Sequence, residues 1–401
     1  MNHFTELSLS PALASNLAHH GFVAPTAVQS KAIPPALQGH DVVATAQTGT
    51  GKTLAFVLPL VEALAKQPKQ KTPAAVILSP TRELALQIQE TFLKLSKGTG
   101  IQSAAVVGGL NEQRQLQAIR KGAQVLIATP GRLIDFLDRK LVKLHAVRHV
   151  VLDEADRMLD MGFLPAMKTI LAATPETRQT LFFSATIEKS VANLIRAYLK
   201  NPVEVAIGST TKPCENVSLH VYEVEQDRKL GLLERMLRQQ DGTFLVFART
   251  KHGADRLAHK LSRGGFHSTA IHGDRTQRQR NEALQGFQQG RFRILVATDV
   301  AARGIHVDGI AHVVNYDLPQ IPEDFIHRVG RTGRAGARGV ASTFGTRSER
   351  SEIRKIERAL NIRLMRQETG EDIPREEPKI APKPAVKAGG KIPFWKKRQR
   401  F

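Results

Sequence analysis

The sequence is poor in cysteine, in aromatic residues and in long apolar runs. Its one cysteine, Cys214, excludes a disulfide framework and a cysteine-based zinc site. No apolar run approaches the roughly 18 residues that a membrane span needs. The opening stretch, MNHFTELSLSPALASNL, lacks the basic and apolar regions of a secretion signal. We therefore expect a cytoplasmic protein that does not bind membranes.

What the chain has in excess is positive charge. Its 401 residues include 58 Lys and Arg against 37 Asp and Glu, which gives a formal net charge of +21. This balance favours a polyanionic partner, although a generally basic surface would give the same sum. The length suits two domains and a tail, and 41% hydrophobic residues suffice for two cores.

Strand-like apolar runs alternate with amphipathic helical stretches along most of the chain, which predicts α/β domains with parallel sheets. We expect one domain over 1–207, a polar linker over 208–216 and a second domain over 217–366. Beyond about residue 367 the chain is rich in Pro, Lys and Glu, which predicts a disordered basic tail.

A phosphate-binding loop follows the first predicted strand. The string AQTGTGKT (46–53) is a Walker-A loop in which Ala46 stands where the general pattern has glycine. Gly49 and Gly51 allow backbone N–H groups to surround phosphates at a helix N-terminus. Lys52 is predicted to reach the β and γ phosphates, and the Thr53 hydroxyl to bind Mg²⁺. Thr48 and Thr50 complete the predicted nucleotide-binding loop.

Three acids, Asp153, Glu154 and Asp156, lie at the carboxyl end of the strand HVVLD (149–153), where α/β sheets bind ligands. Like charges this close repel one another unless a cation lies between them. With a Walker-A loop in the same chain, Asp153 is predicted to hold Mg²⁺ and Glu154 to orient or deprotonate the attacking water. A solvated acidic turn is the alternative when the stretch is considered alone.

The string HRVGRTGRAG (327–336) carries arginines at three-residue spacing, which predicts one basic helical face. Such a face can bind RNA or be merely solvated. Together with a Walker site in the other domain, it suggests that Arg331 and Arg334 act as arginine fingers when the domains close.

The chain resembles the DEAD-box ATP-dependent RNA helicases, and within them the bacterial RhlE-type group. The literal DEAD (153–156) and a dozen ordered motifs over residues 4–345 carry this resemblance. GFVAPTAVQ (21–29) resembles the adenine-reading motif, which implies that Gln29 contacts the base, Thr26 supports it and Phe4 stacks on adenine. The resemblance therefore implies two RecA-like domains, ATP as the nucleotide and RNA as the partner.

The remaining motifs imply roles for sets of residues. Hydroxyls, arginines and backbone N–H groups suit contacts to RNA phosphates and sugars, and no aromatic platform for base stacking is recognised. Gly304 belongs to the implied ATP site. The implied RNA-binding residues are Pro80, Thr81, Arg82, Gly109, Thr129, Gly131, Arg132, Arg249, Thr250, Gln277, Arg280, Thr298 and Asp299. The implied coupling residues are Asp156, Ser184, Thr186 and His327.

One position departs from the family pattern. The fifth motif usually ends A-R-G-x-D, with the aspartate on the ATP ribose, whereas here His306 takes that place and Asp308 follows two residues later. A histidine offers fewer acceptors than a carboxylate. We therefore expect a weaker ribose contact at His306.

These patterns predict an RNA-stimulated ATPase that separates short RNA duplexes locally, and that acts as a monomer. The alternative is an RNA-annealing chaperone or clamp with ATP-timed release. The tail favours RNA binding in either case, because 379–401 has eight basic residues and no acid, with three aromatics interleaved. Ribosomal and RNA-decay proteins are both possible partners.

Overall fold

In the computed structural model, the chain consists of two α/β units joined in tandem. The structure describes residues 1–46, 49–68, 70, 72–207, 216–302, 307, 309–333, 337–370 and 373–376. Each unit is built on one seven-stranded sheet in which all the paired strands are parallel. This confirms the predicted fold class of two parallel-sheet domains.

The first domain has the strand order β3-β4-β2-β5-β6-β1-β7. Its strands are Val42–Thr45 (β1), Ala75–Leu78 (β2), Ser103–Val106 (β3), Val125–Ala128 (β4), His149–Leu152 (β5), Gln179–Ser184 (β6) and Val203–Ala206 (β7). Its helices are Pro11–His19 (α1), Ala27–Leu37 (α2), Lys52–Ala65 (α3), Arg82–Ser96 (α4), Glu112–Arg120 (α5), Pro130–Asp138 (α6), Ala155–Asp160 (α7), Leu164–Ala172 (α8) and Lys189–Tyr198 (α9).

The second domain repeats this order as β10-β11-β9-β12-β13-β8-β14. Its strands are Val217–Glu223 (β8), Thr243–Phe247 (β9), Ser268–Ile271 (β10), Ile294–Ala297 (β11), Ile310–Asn315 (β12), Gly339–Gly345 (β13) and Met365–Gln367 (β14). Its helices are Lys229–Gln239 (α10), Lys251–Arg263 (α11), Gln277–Gln288 (α12), Asp299–Ala302 (α13), Pro322–Val329 (α14) and Arg350–Leu360 (α15).

Central strands bury both of their faces, because helices cover each sheet on two sides. In β5, Val151 belongs to one hydrophobic cluster of the first domain, whereas Val150 and Leu152 belong to the other. Period-two alternation on a sheet covered on both sides explains why this strand reads as a continuous apolar run. The acids that follow β5 therefore emerge from the middle of the sheet, where β5 lies between β2 and β6.

Two edge strands were not predicted. Val203–Ala206 (β7) pairs with β1, although the sequence becomes polar from residue 201 onward. Met365–Gln367 (β14) pairs with β8, and Ile373 is 5% exposed within a hydrophobic cluster of the second domain. The predicted onset of disorder at 367 is therefore wrong for the described residues up to Glu376, which pack on this domain. The basic segment 379–401 and most of the predicted linker lie outside the described residues.

Of the helices in the described part of the chain, none is long and apolar enough to cross a membrane. The structure thus contains no feature of that kind in the residues it describes.

Candidate nucleotide and RNA sites

The loop between β1 and α3 is shaped by glycines in left-handed backbone conformations. Gly49 has φ 88° and Gly51 has φ 90°, backbone angles that residues other than glycine rarely adopt. A Cβ on Gly51 would lie 2.4 Å from Gln29 Nε2, so the loop also needs a glycine there for close packing. The loop ends at Lys52, the first residue of α3.

Gln29 and Thr26 are fixed against this loop. Gln29 Nε2 donates to the Gly51 carbonyl at 3.0 Å, and Gln29 Oε1 accepts from the Thr26 backbone N–H at 2.9 Å. Gln29 is 5% exposed. Both ends of its amide therefore have protein partners, and the residue connects the start of α2 to the phosphate loop.

The side chain of Lys52 folds back from the start of α3 into the phosphate-binding loop. Its Nζ donates to the Ala46 carbonyl at 2.8 Å, and the side chain is buried. The hydrogen bond holds the ammonium against the carbonyl of Ala46, the first residue of the loop. Thr53 follows on the first turn of α3, and Thr50 lies in the loop.

The three acids after β5 are buried side by side. Asp153, Glu154 and Asp156 are 2%, 3% and 5% exposed. Burial raises the pKa of Asp153 to about 7, with Glu154 and Asp156 acting in the same direction and Lys52 opposing them. The buried acid therefore lies within the electrostatic reach of the phosphate-loop lysine.

Glu154 has an ion-pair partner that the sequence analysis missed. Its Oε2 lies 3.0 Å from Nη1 of Arg157, and both side chains are nearly inaccessible to solvent. A cation among these acids was predicted, but only as Mg²⁺. The available signal was the i, i+3 spacing of Glu154 and Arg157 at the start of a helix, which places such residues on one face.

Asp156 connects the acids to the next strand. Its Oδ2 accepts from the backbone N–H groups of Ala185 and Thr186, at 3.0 and 2.9 Å, and from the Thr186 hydroxyl at 3.1 Å. Ser184 donates from its hydroxyl to the Thr186 carbonyl at 2.7 Å. Three of the residues predicted to couple hydrolysis to RNA movement therefore form one hydrogen-bonded unit.

The arginine-rich segment does not form the single basic face that the spacing predicts. The helix α14 ends at Val329, so Arg331 lies beyond it. Arg328 faces the interior of its own domain, where Nε and Nη2 contact the two carboxylate oxygens of Asp299 at 2.5 and 2.7 Å. Arg328 is therefore a structural residue of the second domain.

Arg331 reaches the interface between the domains. It is 2% exposed, and its Nε donates to the His327 carbonyl at 3.2 Å. Arg331 and His327 line a narrow space together with Arg157 of the first domain. The structure thus brings one predicted arginine finger next to the helix that begins with the DEAD acids.

A groove of about 550 Å³ crosses the interface on another side. The first domain contributes six of the predicted RNA-binding residues to its lining, and the second contributes Arg280. The lining includes Pro80, Thr81, Arg82, Thr129, Gly131, Arg132 and Arg280 from the prediction, and Gly273, Arg275, Met161 and Phe163 beyond it. The half-buried ring of Phe163 is an aromatic group that the sequence analysis did not associate with RNA.

Backbone and guanidinium groups of the first domain are packed together in this groove. The Arg82 guanidinium lies against Gly109, where a Cβ would come within 2.1 Å of its Nη1. Thr81 caps α4 by accepting from the Leu84 N–H at 3.3 Å. Arg132 forms an ion pair with Glu112 at 2.7 Å. These contacts hold the predicted phosphate-binding side chains in fixed orientations.

Other predicted RNA-binding residues have protein partners. Gln277 is 8% exposed and its Nε2 donates to Glu83 across the interface at 3.0 Å. Asp299 is the ion-pair partner of Arg328, and Thr298 precedes it at the end of β11. Arg249 and Thr250 follow β9 and do not line the groove. The Thr250 oxygen caps α11 by accepting from the Gly253 N–H.

The remaining site predictions have mixed outcomes. Phe4 is 5% exposed and belongs to a hydrophobic cluster of the first domain, so its ring is packed against protein. Thr48, Gly304, His306 and Arg334 lie outside the described residues. Their predicted roles stay predictions.

Comparison with known proteins defines the class to which this arrangement belongs. The sequence profile of the DEAD/DEAH box helicases matches residues 26–194, and that of the helicase conserved C-terminal domain matches residues 228–336. The first profile spans β1 to β6 of the first sheet, and the second spans β9 to β12 of the second sheet. The class is therefore that of the two-domain helicases with RecA-like folds.

Relatives narrow the class to one family. DEAD-box ATP-dependent RNA helicase CshA of Streptococcus pneumoniae is 41% identical over 329 residues, which are 82% of this chain and 62% of that protein. ATP-dependent RNA helicase vasa of Drosophila melanogaster is 44% identical over 338 residues, or 82% of this chain and 51% of vasa. The chain thus spans about half to two thirds of these relatives' length. It belongs to the DEAD-box helicase family.

Solved structures share this fold and superpose on the chain to different degrees. S. cerevisiae Dbp5 bound to RNA and ADP BeF3 is 31% identical, with a TM-score of 0.83 over 92% of this chain and 96% of that one. A DEAD box protein from Methanococcus jannaschii is 37% identical, but its TM-score is 0.54 over 92% of this chain and 99% of that one. The chain therefore superposes better on the Dbp5 complex than on the Methanococcus jannaschii protein.

Proposed function

We propose that the protein is an ATP-dependent RNA helicase whose two domains close on single-stranded RNA and thereby separate short duplexes or remodel RNA–protein complexes. The observation that carries this proposal is the groove shared by both domains, which gathers arginines, hydroxyls and glycines at the carboxyl ends of the strands. Such groups position a nucleic-acid backbone without reading its sequence.

ATP is the proposed nucleotide, held by the loop that Gly49, Gly51 and Lys52 shape. Mg²⁺ fits the same place, because the donors are a buried carboxylate, Asp153, and a hydroxyl, Thr53. In the described residues no group of three or more His, Cys, Asp or Glu is arranged around one point. Magnesium suits so sparse a set, since it keeps waters and phosphate oxygens as ligands. When bound, it would neutralise charge on the phosphates.

Hydrolysis is proposed to depend on groups from both domains. Glu154 would orient or deprotonate the attacking water, because it is a buried carboxylate that is not a proposed Mg²⁺ ligand. Arg331 and Arg334 would stabilise charge that develops on the transferred phosphoryl group. Because Arg331 belongs to the second domain, domain closure completes the site. An arginine in this role contributes on the order of 10³–10⁵ in rate.

The Glu154→Gln variant tests this proposal. We expect it to bind ATP and RNA normally and to lose RNA-stimulated phosphate release, because only the group acting on water has changed. The exposed Glu90→Gln variant is a matched control, since Glu90 contacts only Lys94 on the surface of α4. Wild-type turnover in a folded Glu154→Gln protein would show that the assignment is wrong.

An annealing chaperone or clamp is the second candidate, favoured by the basic composition of 379–401. Displacement of a short duplex that requires ATP supports the helicase, whereas strand annealing without ATP supports the chaperone. The two activities are measured with the same labelled oligonucleotides. The result separates the candidates directly.

Finer assignments are proposed on the sequence. We propose that the protein belongs to the RhlE-type group, is cytoplasmic and acts as a monomer. We also propose a role in ribosome assembly or in RNA decay. Crosslinking the protein to RNA in its own cells and sequencing the bound RNA would distinguish ribosomal from decay substrates. Restoring the usual aspartate with His306→Asp would test the ribose contact, since the KM for ATP with RNA present should fall.

A further inference from the structure

Arg157 is a buried cation between the catalytic acids and the second domain. Its side chain is 1% exposed, which places it among the largest fully buried side chains of the protein. Buried arginines normally use several of their five N–H donors, because each unpaired donor loses its hydration without compensation. Arg157 departs from that rule.

Only one edge of this guanidinium has a partner within the described residues. Nη1 donates to Glu154 Oε2 at 3.0 Å, while Nη2 is buried and makes no hydrogen bond in the described part of the chain. A buried ion pair contributes little to stability unless its remaining hydrogen bonds are satisfied. A purely stabilising role therefore explains this arrangement poorly.

The backbone conformation of Glu154 suggests that its contact with Arg157 serves to orient the carboxylate. Glu154 has φ 51° and so occupies the left-handed region, which non-glycine residues adopt rarely and mostly at functional sites. It also stands at the N-cap of α7, where the chain turns from strand to helix. The direction of its carboxylate therefore depends on the groups that contact it. Arg157, three residues further along the chain, is one of these groups.

The second domain forms the other side of the space that Arg157 lines. Phe247, Asp299, Asp324, His327 and Arg331 line it from that domain. The Asp299 carboxylate is already neutralised by Arg328. Asp324 is 7% exposed, and it belongs to the same helix, α14, as His327. The guanidinium thus contacts the Glu154 carboxylate and lines the same narrow space as Asp324, a buried acidic residue of the opposite domain.

We propose that Arg157 is a positioning residue that makes the orientation of Glu154 depend on domain closure. One edge of the guanidinium holds the carboxylate, and the other is presented to the second-domain surface that carries Asp324 and Arg331. The inference rests on the proposed function, since it assigns Glu154 to the hydrolysis step. It adds a link between that residue and the arrangement of the domains.

The test compares Arg157→Gln and Arg157→Lys with Arg120→Gln, in which an exposed arginine at the end of α5 is replaced. We expect Arg157→Gln to lower kcat of RNA-stimulated hydrolysis by about tenfold to a hundredfold, as misplaced catalytic groups do. The KM for ATP should stay within about twofold, because the phosphate loop is unchanged. Arg157→Lys should recover part of kcat, and Arg120→Gln should match the wild type.

Two further measurements separate positioning from folding. In the Glu154→Gln background, Arg157→Gln should cause little further loss of kcat, because nothing remains to be positioned. RNA affinity measured with AMP-PNP should fall in Arg157→Gln, while affinity without nucleotide should not change. The inference would be overturned if the losses of kcat in Glu154→Gln and Arg157→Gln were fully additive in the double variant, or if Arg157→Gln kept the wild-type kcat. It would also be overturned if Arg157→Gln lowered nucleotide-free RNA binding and the melting temperature as much as it lowered kcat. A wild-type chain without RNA-stimulated ATPase would instead overturn the proposed function.

Discussion

Glu83 of the first domain forms a buried ion pair with Arg280 of the second, with Glu83 Oε1 2.9 Å from Arg280 Nε. The two side chains are 6% and 13% exposed. The same oxygen accepts from Gln277 Nε2 at 3.0 Å. One carboxylate of α4 thus holds two residues of α12, so this cluster stabilises the closed arrangement of the domains at the edge of the groove.

Replacing this carboxylate should weaken closure without changing the nucleotide site. In Glu83→Gln the ion pair with Arg280 becomes a contact between a charged guanidinium and a neutral amide, which costs about 1 kcal/mol, or roughly fivefold in an equilibrium constant. We expect the RNA concentration that gives half-maximal ATPase to rise by about that factor. Titrations of RNA at saturating ATP measure it, and Glu90→Gln on the exposed face of α4 is the control. An unchanged half-maximal RNA concentration would show that the contact does not limit closure.

Asp156 and Thr186 offer a test of coupling within the first domain. Thr186→Val removes the 3.1 Å hydroxyl bond to Asp156 and leaves the two backbone bonds in place. The loss of about 1 kcal/mol should loosen the link without breaking it.

We expect duplex displacement by Thr186→Val to fall several-fold more than ATP hydrolysis does. Both rates are measured on the same enzyme preparation. Thr169→Val is the matched control, because its hydroxyl donates to the Pro165 carbonyl on the exposed face of α8. Equal losses of the two activities would assign Thr186 to hydrolysis itself.

The sequence predicted the sheets well because central strands of a doubly covered sheet are short apolar runs bounded by turn residues. The loop at Gly51 and Lys52 was predictable for a related reason, since a local backbone shape requires those residue types. Arg157 and Glu83 were not predictable in the same way. Their roles depend on which surfaces of two separate domains meet.

Arg328 shows how spacing misleads. Three arginines at three-residue intervals suggest one helical face, but the helix ends between Arg328 and Arg331. Arg328 therefore neutralises Asp299 inside the second domain, whereas Arg331 reaches the interface. Similarly, β14 was missed because three exposed residues, Met365–Gln367, have no alternation that distinguishes an edge strand from a polar tail.

The basic segment 379–401 is predicted to tether RNA. Its eight cationic residues should release counterions from a nucleic acid on binding, which makes affinity fall with salt. Deleting 379–401 should weaken RNA binding and flatten the plot of log affinity against log salt, and it should spare ATPase without RNA.

Two variants separate charge from stacking in this segment. Replacing the eight basic residues with glutamine should flatten the salt dependence, whereas replacing Phe394, Trp395 and Phe401 with alanine should weaken binding at every salt concentration. Unchanged affinity and slope in the deletion would mean that the segment is only a solubilising tail.

His149 connects the start of β5 to stability at low pH. Burial lowers the pKa of His149 below its usual 6.5. The hydrogen bond between His149 Nδ1 and Gln179 Oε1, at 3.0 Å, acts in the opposite direction. The Nε2 of His149 is buried with no partner among the described residues. The imidazole is therefore neutral in the folded protein at pH values where an unfolded chain would begin to bind a proton.

The sign of the effect follows from this depressed pKa. Well above pH 6.5 both states hold a neutral imidazole, so His149 contributes nothing to the pH dependence there. As the pH falls below 6.5, the unfolded state binds more protons, and the free energy of unfolding decreases by up to about 1.4 kcal/mol per pH unit. His149→Gln should remove this component. The fall in the melting temperature of the first domain between pH 7.5 and 5.5 should then be smaller than in the wild type and in His145→Gln, where an exposed histidine is replaced. An identical fall in all three proteins would mean that another group controls stability in acid.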